Sequence, residues 1–351
     1  MGKIKVVVAG VGNCCSALLQ SIVYHEKRAE GLLHYDVGGY SPADIELVGA
    51  IDIDSRKVGR DLAEAIFSEP NVAEKVCDIN TTGVRVEKGP VMDGADGVLK
   101  DLIKVDESPP IDVPTYLKDR GCEILVCLLP AGCTKATEFY ADAALKSGCG
   151  FVNCTPTSIA SDNRWGQSFE ERNIPLVGDD LMSQIGGTVF HMGLLDFISS
   201  RGVKVEKTYQ LDIGGSMEAY GVLEDIRREA KRKVKSDAIK QFLPNDSEVA
   251  TGTSDYVGFM GDRRTSYFYI KGKNCLGRDV VVDIFFRTID SSNGAGILLD
   301  VIRGVRVALD RKIGGQLTSI SAYGFKKPPI QAPVKESQRW FDDFIANTRK
   351  R

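Results

Sequence analysis

The chain has 351 residues, of which 43% are hydrophobic and 26% charged, with a formal charge of −3. That length allows a large core and one to three domains, and the composition is that of an ordinary globular protein. The balance of charge gives no reason to expect nucleic acid or an anionic membrane as partner, and no stretch approaches the roughly 20 apolar residues of a membrane span.

Ile4 to Val8 reads as a β-branched strand running straight into Gly10 and Gly12, and Leu18, Leu19 and Ile22 then predict a helix. Strand, glycine turn and helix N-terminus together make the site that holds a dinucleotide pyrophosphate. Gly10 would make the tight turn. Gly12, followed by Asn13 and Cys14, would let the backbone approach phosphates where the helix dipole favours anions. Cys15 stands where the third glycine is usual, and is small enough to keep helix and strand close. The plainer alternative is an ordinary strand-to-helix turn with two glycines.

A polar, glycine-bearing stretch follows, roughly Tyr24 to Asp44, and IELVGAIDID reads as a second strand ending in acids. Asp52 would be the ribose-binding acid of that strand, its free carboxylate selecting NAD over NADP, with an insertion lengthening the spacing from the glycines. Alone it could be a strand-end turn residue. SRKVGRDLAEAIF predicts a helix capped by Ser55, with Val58, Leu62, Ala65 and Ile66 on one face. Residues 78–112 read as a long irregular loop. CEILVCLLP is a buried parallel strand by its unbroken apolar run, CTKATEFYADAALKSG a helix closed by Gly148, and GFVNCTP and IPLVGDDL two further strands. Apolar strands alternating with helices make an α/β, doubly wound parallel sheet of the Rossmann kind.

From residue 204 the texture changes. VEKTYQLDI, SYFYIKGKNCLG and DVVVDIFFRTIDS alternate and are aromatic, as in an antiparallel sheet with one covered face, and a charged helix (Val222 to Val234) separates the first two. NGAGILLDVIRGVRVALDRK is an apolar helix again, with Ile297, Val301, Val305 and Ala308 at helical spacing. The expected division is a dinucleotide-binding unit over 1–190, an inserted α+β unit over 191–295, and C-terminal helices over 296–351 returning to the first.

The nine cysteines contain no C-x-x-C pair, and with only His25, His34 and His191 beside them a zinc cluster is poorly supported. An odd count, with Ile4 to Ala9 too short for a signal peptide, points to a cytoplasmic protein.

Three segments exceed what a fold requires. In VGDDLMSQIGGT, Asp179 and Asp180 end a strand and a Ser/Gln/Gly-Gly/Thr run opens a helix. Ser183, Gln184, Gly186, Gly187 and Thr188 thus offer hydroxyl, amide and N–H groups to a second anion, expected to be a substrate phosphate. Helix capping explains one of the two acids but not both with two glycines. Lys231 and Lys235 stand at i and i+4 on one helix face, which by itself is a solvated basic face. Lys326, in SAYGFKKPP, follows an aromatic strand and alone is a surface lysine.

Taken together, GVGNCCSAL, VGDDLMSQIGGT, LDIGGSMEAYGVLE, SDYVGFMGDRR, IDSSNGAGILLDVIRG and SAYGFKKPP resemble, in order, the blocks of the myo-inositol-1-phosphate synthase family, above all its shorter bacterial and archaeal branch. The resemblance spans nearly the whole chain. It implies a Rossmann domain with tightly held NAD, an α+β catalytic and assembly domain, a homotetramer, and isomerisation of D-glucose 6-phosphate to 1L-myo-inositol 1-phosphate by oxidation at C5, enolisation, aldol closure and reduction. By block position Lys231, Lys235 and Lys326 fall on active-site lysines, Asp290 on the active-site aspartate, and Ser183 on a phosphate-contacting serine. The implied cofactor residues are Gly10, Gly12, Asn13, Cys14, Asp52, Ala131, Asn153, Asp179 and Asp180, and a monovalent or divalent cation beside Asp180 is left open. Lysine can supply both a base and a cation, since burial near other cations lowers its pKa.

The departures fall at the substrate end. Arg264 replaces a fourth lysine and keeps the charge but cannot act as a base; Met182 stands where a lysine is usual, and Asp212 where an asparagine is. Two other readings therefore stand beside the synthase: a paralogue that cyclises a different sugar phosphate, and a non-catalytic NAD-binding protein. Retention of Lys231, Lys235, Lys326 and Asp290 together argues against the last.

Overall fold

In the computed structural model, which describes residues 2–351, Ile4–Ala9 forms β1 and the glycine turn leads into α1 (Asn13–Tyr24). The insertion follows, and β2 is Ile45–Asp52. The helix expected from Ser55 shrinks to α2 (Leu62–Ala65), capped by Asp61. Upstream, Asp54 Oδ1 accepts from both the Arg56 N–H and Nε at 2.9 Å, and Gly59 has φ +84°, so a local turn outcompetes helix there. Inside the expected loop lies a three-residue strand, β3 (Val86–Lys88), too short to announce itself by pattern.

The chain continues through α3 (Val113–Asp119), β4 (Ile124–Cys127), α4 (Thr134–Ser147, closed by Gly148 at φ +76°), β5 (Gly150–Asn153), α5 (Asn163–Glu171), β6 (Pro175–Gly178) and α6 (Gly187–Ser200). Then come β7 (Lys204–Gly214), α7 (Met217–Gly221), α8 (Asp225–Lys240), β8 (Glu248–Tyr256), β9 (Arg263–Lys273) and β10 (Asp279–Ile289). The last elements are α9 (Asp290–Asp310), β11 (Gly315–Gln316), α10 (Thr318–Gly324) and α11 (Val334–Ile345). Lys326 thus follows a helix, not the aromatic strand expected: Ile320 and Tyr323 recur at helical spacing and are buried.

The first sheet is parallel throughout, in the order β11-β6-β5-β4-β1-β2-β3. Alternate residues of β1 serve opposite faces: Val6 and Val8 pack with Leu18 and Leu298, Val7 and Ala9 with Leu117 and Tyr140. Each fully buried Val or Leu is worth about 1.5–3 kcal/mol over exposure, and helices cover both faces, as a parallel sheet requires. The second sheet has the order β10-β9-β7-β8 and is mixed, not antiparallel as expected, because β8 pairs with β7 in parallel. Helix α8 is the crossover that this connection needs, and it hangs over the end of the first sheet.

The insertion is tied to the helices after β10. Arg303, fully buried, donates to the carbonyls of His34, Tyr35 and Tyr40 and to Asp300. No helix among the described residues is long and apolar enough to cross a membrane.

Candidate active site

The C-terminal ends of β1, β2, β4 and β6 open into one cavity, whose far wall is made by α7, α8 and the start of β9. Ligands of open parallel sheets bind at this edge. The space, counted out to the open solvent at its mouth, is about 1780 Å³.

At one end lies the glycine turn. Gly10 has φ +99°, and a Cβ there would stand 2.8 Å from the Leu128 carbonyl oxygen, so no other residue fits. Gly12 is the N-cap of α1 without a side-chain cap, and a Cβ on it would meet nothing within 4 Å. The first-turn N–H groups of α1 therefore face open cavity. Cys14 is exposed to it, its thiol pushed up to about 12 by desolvation between the cavity walls and by Glu218 and Asp290. Asn13 also lines it, but its Oδ1 is taken by the Val72 and Ala73 N–H groups. The carboxylate of Asp52 is not free: it accepts from the Val11, Ile53 and Asp54 N–H groups at 2.7, 2.7 and 2.9 Å. A carboxylate has about four acceptor sites, which leaves room for one further donor.

At the other end, side chains from separate elements meet. Asp180 sits just past β6 with φ +59°, a costly conformation tolerated best by Asn and Asp. Its Oδ1 accepts from Lys326 Nζ at 2.8 Å and lies 3.7 Å from Lys231 Nζ, while its buried Oδ2 has no partner among the described residues. Burial would raise this carboxyl, but Lys231 and Lys326 outweigh it and hold it below the usual range. Lys231 also pairs with Glu218, and Arg264 joins Asp290 at 2.6 Å and Glu218 at 3.6 Å. Lys235 donates to Asp212 at 2.6 Å, and Ser266 and Gln210 complete that carboxylate's shell.

The lysines do not share one electrostatic fate. For Lys231, burial is outweighed by Asp180 and Glu218, which raise its pKa; the expectation of a lowered value fails there because the nearest charges are anions. For Lys235, burial wins with help from Arg264 and Lys231, and its pKa is lowered despite Asp212. Asp212 is held down at about 2: burial opposes this, but Lys235 and Arg264 prevail. Burial lifts Asp262 to about 6 and raises Asp290 as well.

Ser183, Gly186, Gly187 and Thr188 line the cavity between the two ends, and α6 starts at an N-cap glycine with no side-chain cap. Ala131 lines it as well. Three expected site residues do not. Asp179 is fully buried and accepts from Asn153 Nδ2 and from the Ile159, Ala160 and Ser161 N–H groups, so this pair braces the 158–161 loop instead of facing the cavity. Gln184 reaches away to the Gly31 carbonyl at 2.7 Å. Glu218 and Asp262 are two site residues that no motif singled out: Glu218 stands three residues after Gly215 and Asp262 directly after Gly261, a weak signal, and each matters through partners distant in the chain.

Residues 186–291 match the family model described as myo-inositol-1-phosphate synthase. The chain is 38% identical to an inositol-3-phosphate synthase of Corynebacterium glutamicum, covering 97% of this chain and 98% of that one. It is 37% identical to an inositol-3-phosphate synthase of Mycolicibacterium smegmatis, covering 98% of each. Among solved structures, a myo-inositol-1-phosphate synthase-related protein of Thermotoga maritima superposes with a TM-score of 0.80 at 22% identity, over 98% of each chain, a likeness of fold.

Proposed function

The chain belongs to the myo-inositol-1-phosphate synthase family, and we propose that it is a working inositol-3-phosphate synthase, isomerising D-glucose 6-phosphate to 1L-myo-inositol 1-phosphate. The observation that carries this is the continuity of one cavity from the bare glycine turn to the Lys326–Asp180–Lys231–Glu218 chain. The open space at Gly12, the uncapped start of α1 and the spare acceptor site on Asp52 fit a dinucleotide. When bound, NAD supplies a place for the C5 hydride and returns it after ring closure.

The chain's own residues then divide the work. Ser183 and the first-turn N–H groups of α6 hold the substrate phosphate. Lys326, fixed on Asp180 Oδ1, relays the proton of the C5 hydroxyl, passing one of its own to Asp180 as it takes it. Lys235, whose pKa burial lowers, moves the proton of enolisation. Lys231 and Arg264 stay charged and stabilise enolate and alkoxide oxygen, with Asp290 orienting Arg264. A cation beside Asp180 would have the free Oδ2 as its ligand from that side chain. Residues 1–190 would hold the nucleotide, 191–295 would supply catalysis and assembly, and 296–351 would complete the first unit. The outer face of the second sheet, where Tyr209 stacks on Tyr269 and Phe285 is 74% exposed, is the surface on which a homotetramer would form. All nine cysteines are free, which suits the cytoplasm.

Purified protein given NAD and glucose 6-phosphate should form inositol phosphate, detected by phosphorus NMR, with no net NADH. A steady accumulation of NADH would mean an ordinary dehydrogenase. The paralogue reading draws on the Asp212–Lys235 pair together with Arg264 and Met182, all at the substrate end. It wins if only another hexose or pentose phosphate is cyclised.

A further inference from the structure

We propose that Arg227 is a positioning residue for this reaction: with Glu224 it clasps α8 to two loops at the nucleotide side of the cavity and so fixes the lysine-bearing face of α8 against the cofactor. The inference rests on the reading of the cavity just given.

Arg227, Lys231 and Lys235 stand at i, i+4 and i+8, a spacing that keeps them on one face of a helix over about 12 Å. All three are buried, at 6, 4 and 2% exposure. Lys235 reaches Asp212 and Lys231 reaches Asp180 and Glu218, at the charged end. Arg227 reaches the other way. Its Nη1 donates to the Ala131 carbonyl, its Nη2 to Asp96 at 3.0 Å, and its Nε to Glu224 at 2.8 Å. Ala131 belongs to the loop after β4 and lines the cavity, and the stretch leading to Asp96 lines it through Met92 and Gly94.

Both loops approach this pair with bare backbone. Gly132 has φ +91°, and a Cβ on it would stand 2.5 Å from Arg227 Nη1. Gly97 has φ +57°, and a Cβ on it would stand 2.6 Å from a Glu224 carboxylate oxygen. The space that side chains would fill is occupied by the clasp. A guanidinium carries donors in a fixed fork, so it can hold a carbonyl and two carboxylates at once with defined angles, which a flexible ammonium cannot. If α8 pivots at this point, Lys231 and Lys235 shift relative to the nucleotide, and a misplacement of about 1 Å can cost about 10²-fold in rate.

Arg227→Met, Arg227→Lys and Glu224→Gln would be compared by the melting temperature of the nucleotide-free protein, by NAD affinity in calorimetry, and by turnover at saturating NAD. The clasp predicts that Arg227→Met weakens NAD about tenfold and lowers kcat by about 10²-fold while KM for glucose 6-phosphate stays within about threefold. Arg227→Lys should recover part of both losses, and Glu224→Gln should show the same split at smaller size, with the melting temperature little changed. Unchanged NAD affinity and kcat in folded Arg227→Met would overturn the proposal. So would losses that only follow a fall in melting temperature and are not relieved by lysine. If Arg227→Met does not fold, Glu224→Gln decides, and wild-type behaviour there sinks the clasp. A wild type that binds NAD but cyclises nothing defeats the reading of the reaction and leaves the NAD arm to test the clasp; a wild type that binds no nucleotide defeats both.

Discussion

The end of the cavity proposed to take the nucleotide is made of backbone, and the charged end is made of side chains. At the first, Gly10, Gly12 and the start of α1 lie within a few residues of one another, and what they offer is space and unpaired N–H groups. At the second, Asp180, Glu218, Lys231, Arg264, Asp290 and Lys326 arrive from separate segments, and what each offers depends on the others' charge. Asp179 and Asp180 show the same contrast between adjacent residues. One is consumed in bracing a loop through hydrogen bonds, while the other keeps a buried oxygen unpartnered beside two lysines. A backbone-built site tolerates little change in shape; a charge-built site tolerates shape but not the loss of a proton or a partner.

The largest effect should come from testing that second half at Lys235. Lys235→Arg keeps the charge opposite Asp212 but never deprotonates at neutral pH, and should lose about 10³-fold in kcat, within the range for a removed proton-transfer group. Lys231→Arg should lose less, because Asp180 and Glu218 already hold Lys231 protonated. Rates measured for both variants decide it: a worse Lys231→Arg would reverse the assignment of base and fixed cation.

Next in size is Arg264. Arg264→Ala should cost about 2–4 kcal/mol of transition-state stabilisation, the scale of one lost electrostatic donor. Arg264→Lys should preserve activity if only charge is needed beside Asp290. Should Arg264→Lys together with Met182→Lys instead move preference toward glucose 6-phosphate from another sugar phosphate, the paralogue reading gains.

The backbone half predicts a split between two glycines. Gly10→Ala should destabilise the fold by about 1–3 kcal/mol, since it meets both a left-handed φ and the Leu128 carbonyl. Gly12→Ala should leave thermal stability nearly unchanged, because its Cβ meets no atom of the described residues within 4 Å, yet weaken NAD about tenfold by filling the approach to the phosphates. Equal effects of the two in a melting curve would mean that the space at Gly12 is not a ligand's.

The same division governs what could be read from the sequence. The parallel sheet, the glycine turn and α4 with its terminal Gly148 were legible because apolar runs and glycine conformations are local properties. The short α2 escaped because Asp54 and Gly59 override a good helical pattern, and β8 because its register exists only through α8. At the site, family blocks singled out the lysines, but not that Lys231 and Lys235 would differ. That difference is set by Glu218, Asp180 and Asp212, which no spacing along the chain connects to them. Gln184 and Asn153 matched motifs whose side chains turn elsewhere.

The smallest effect serves as a control, because it titrates a charged cluster outside the cavity. His34, in the insertion between α1 and β2, contacts Asp300 at 2.7 Å and Asp342 at 2.9 Å, with Tyr323 and Arg303 also on Asp300. Burial would lower its pKa and Arg303 would oppose its charge, but the hydrogen bonds and charges of the two aspartates prevail and raise it above the usual 6.5. A group whose folded pKa is raised adds stability that is fully present below its unfolded value and is lost as pH climbs through its folded value. The melting temperature should therefore fall slightly as pH rises above about 6.5, by at most a few degrees. His34→Gln should flatten that slope, while NAD affinity and the pH dependence of kcat stay as in wild type, since both report on groups of the cavity. A slope that persists in His34→Gln would assign it to other titrating groups. A shifted kcat profile would mean that the insertion and the charged half are coupled, and that the separation of the molecule into backbone-built and charge-built regions is too simple.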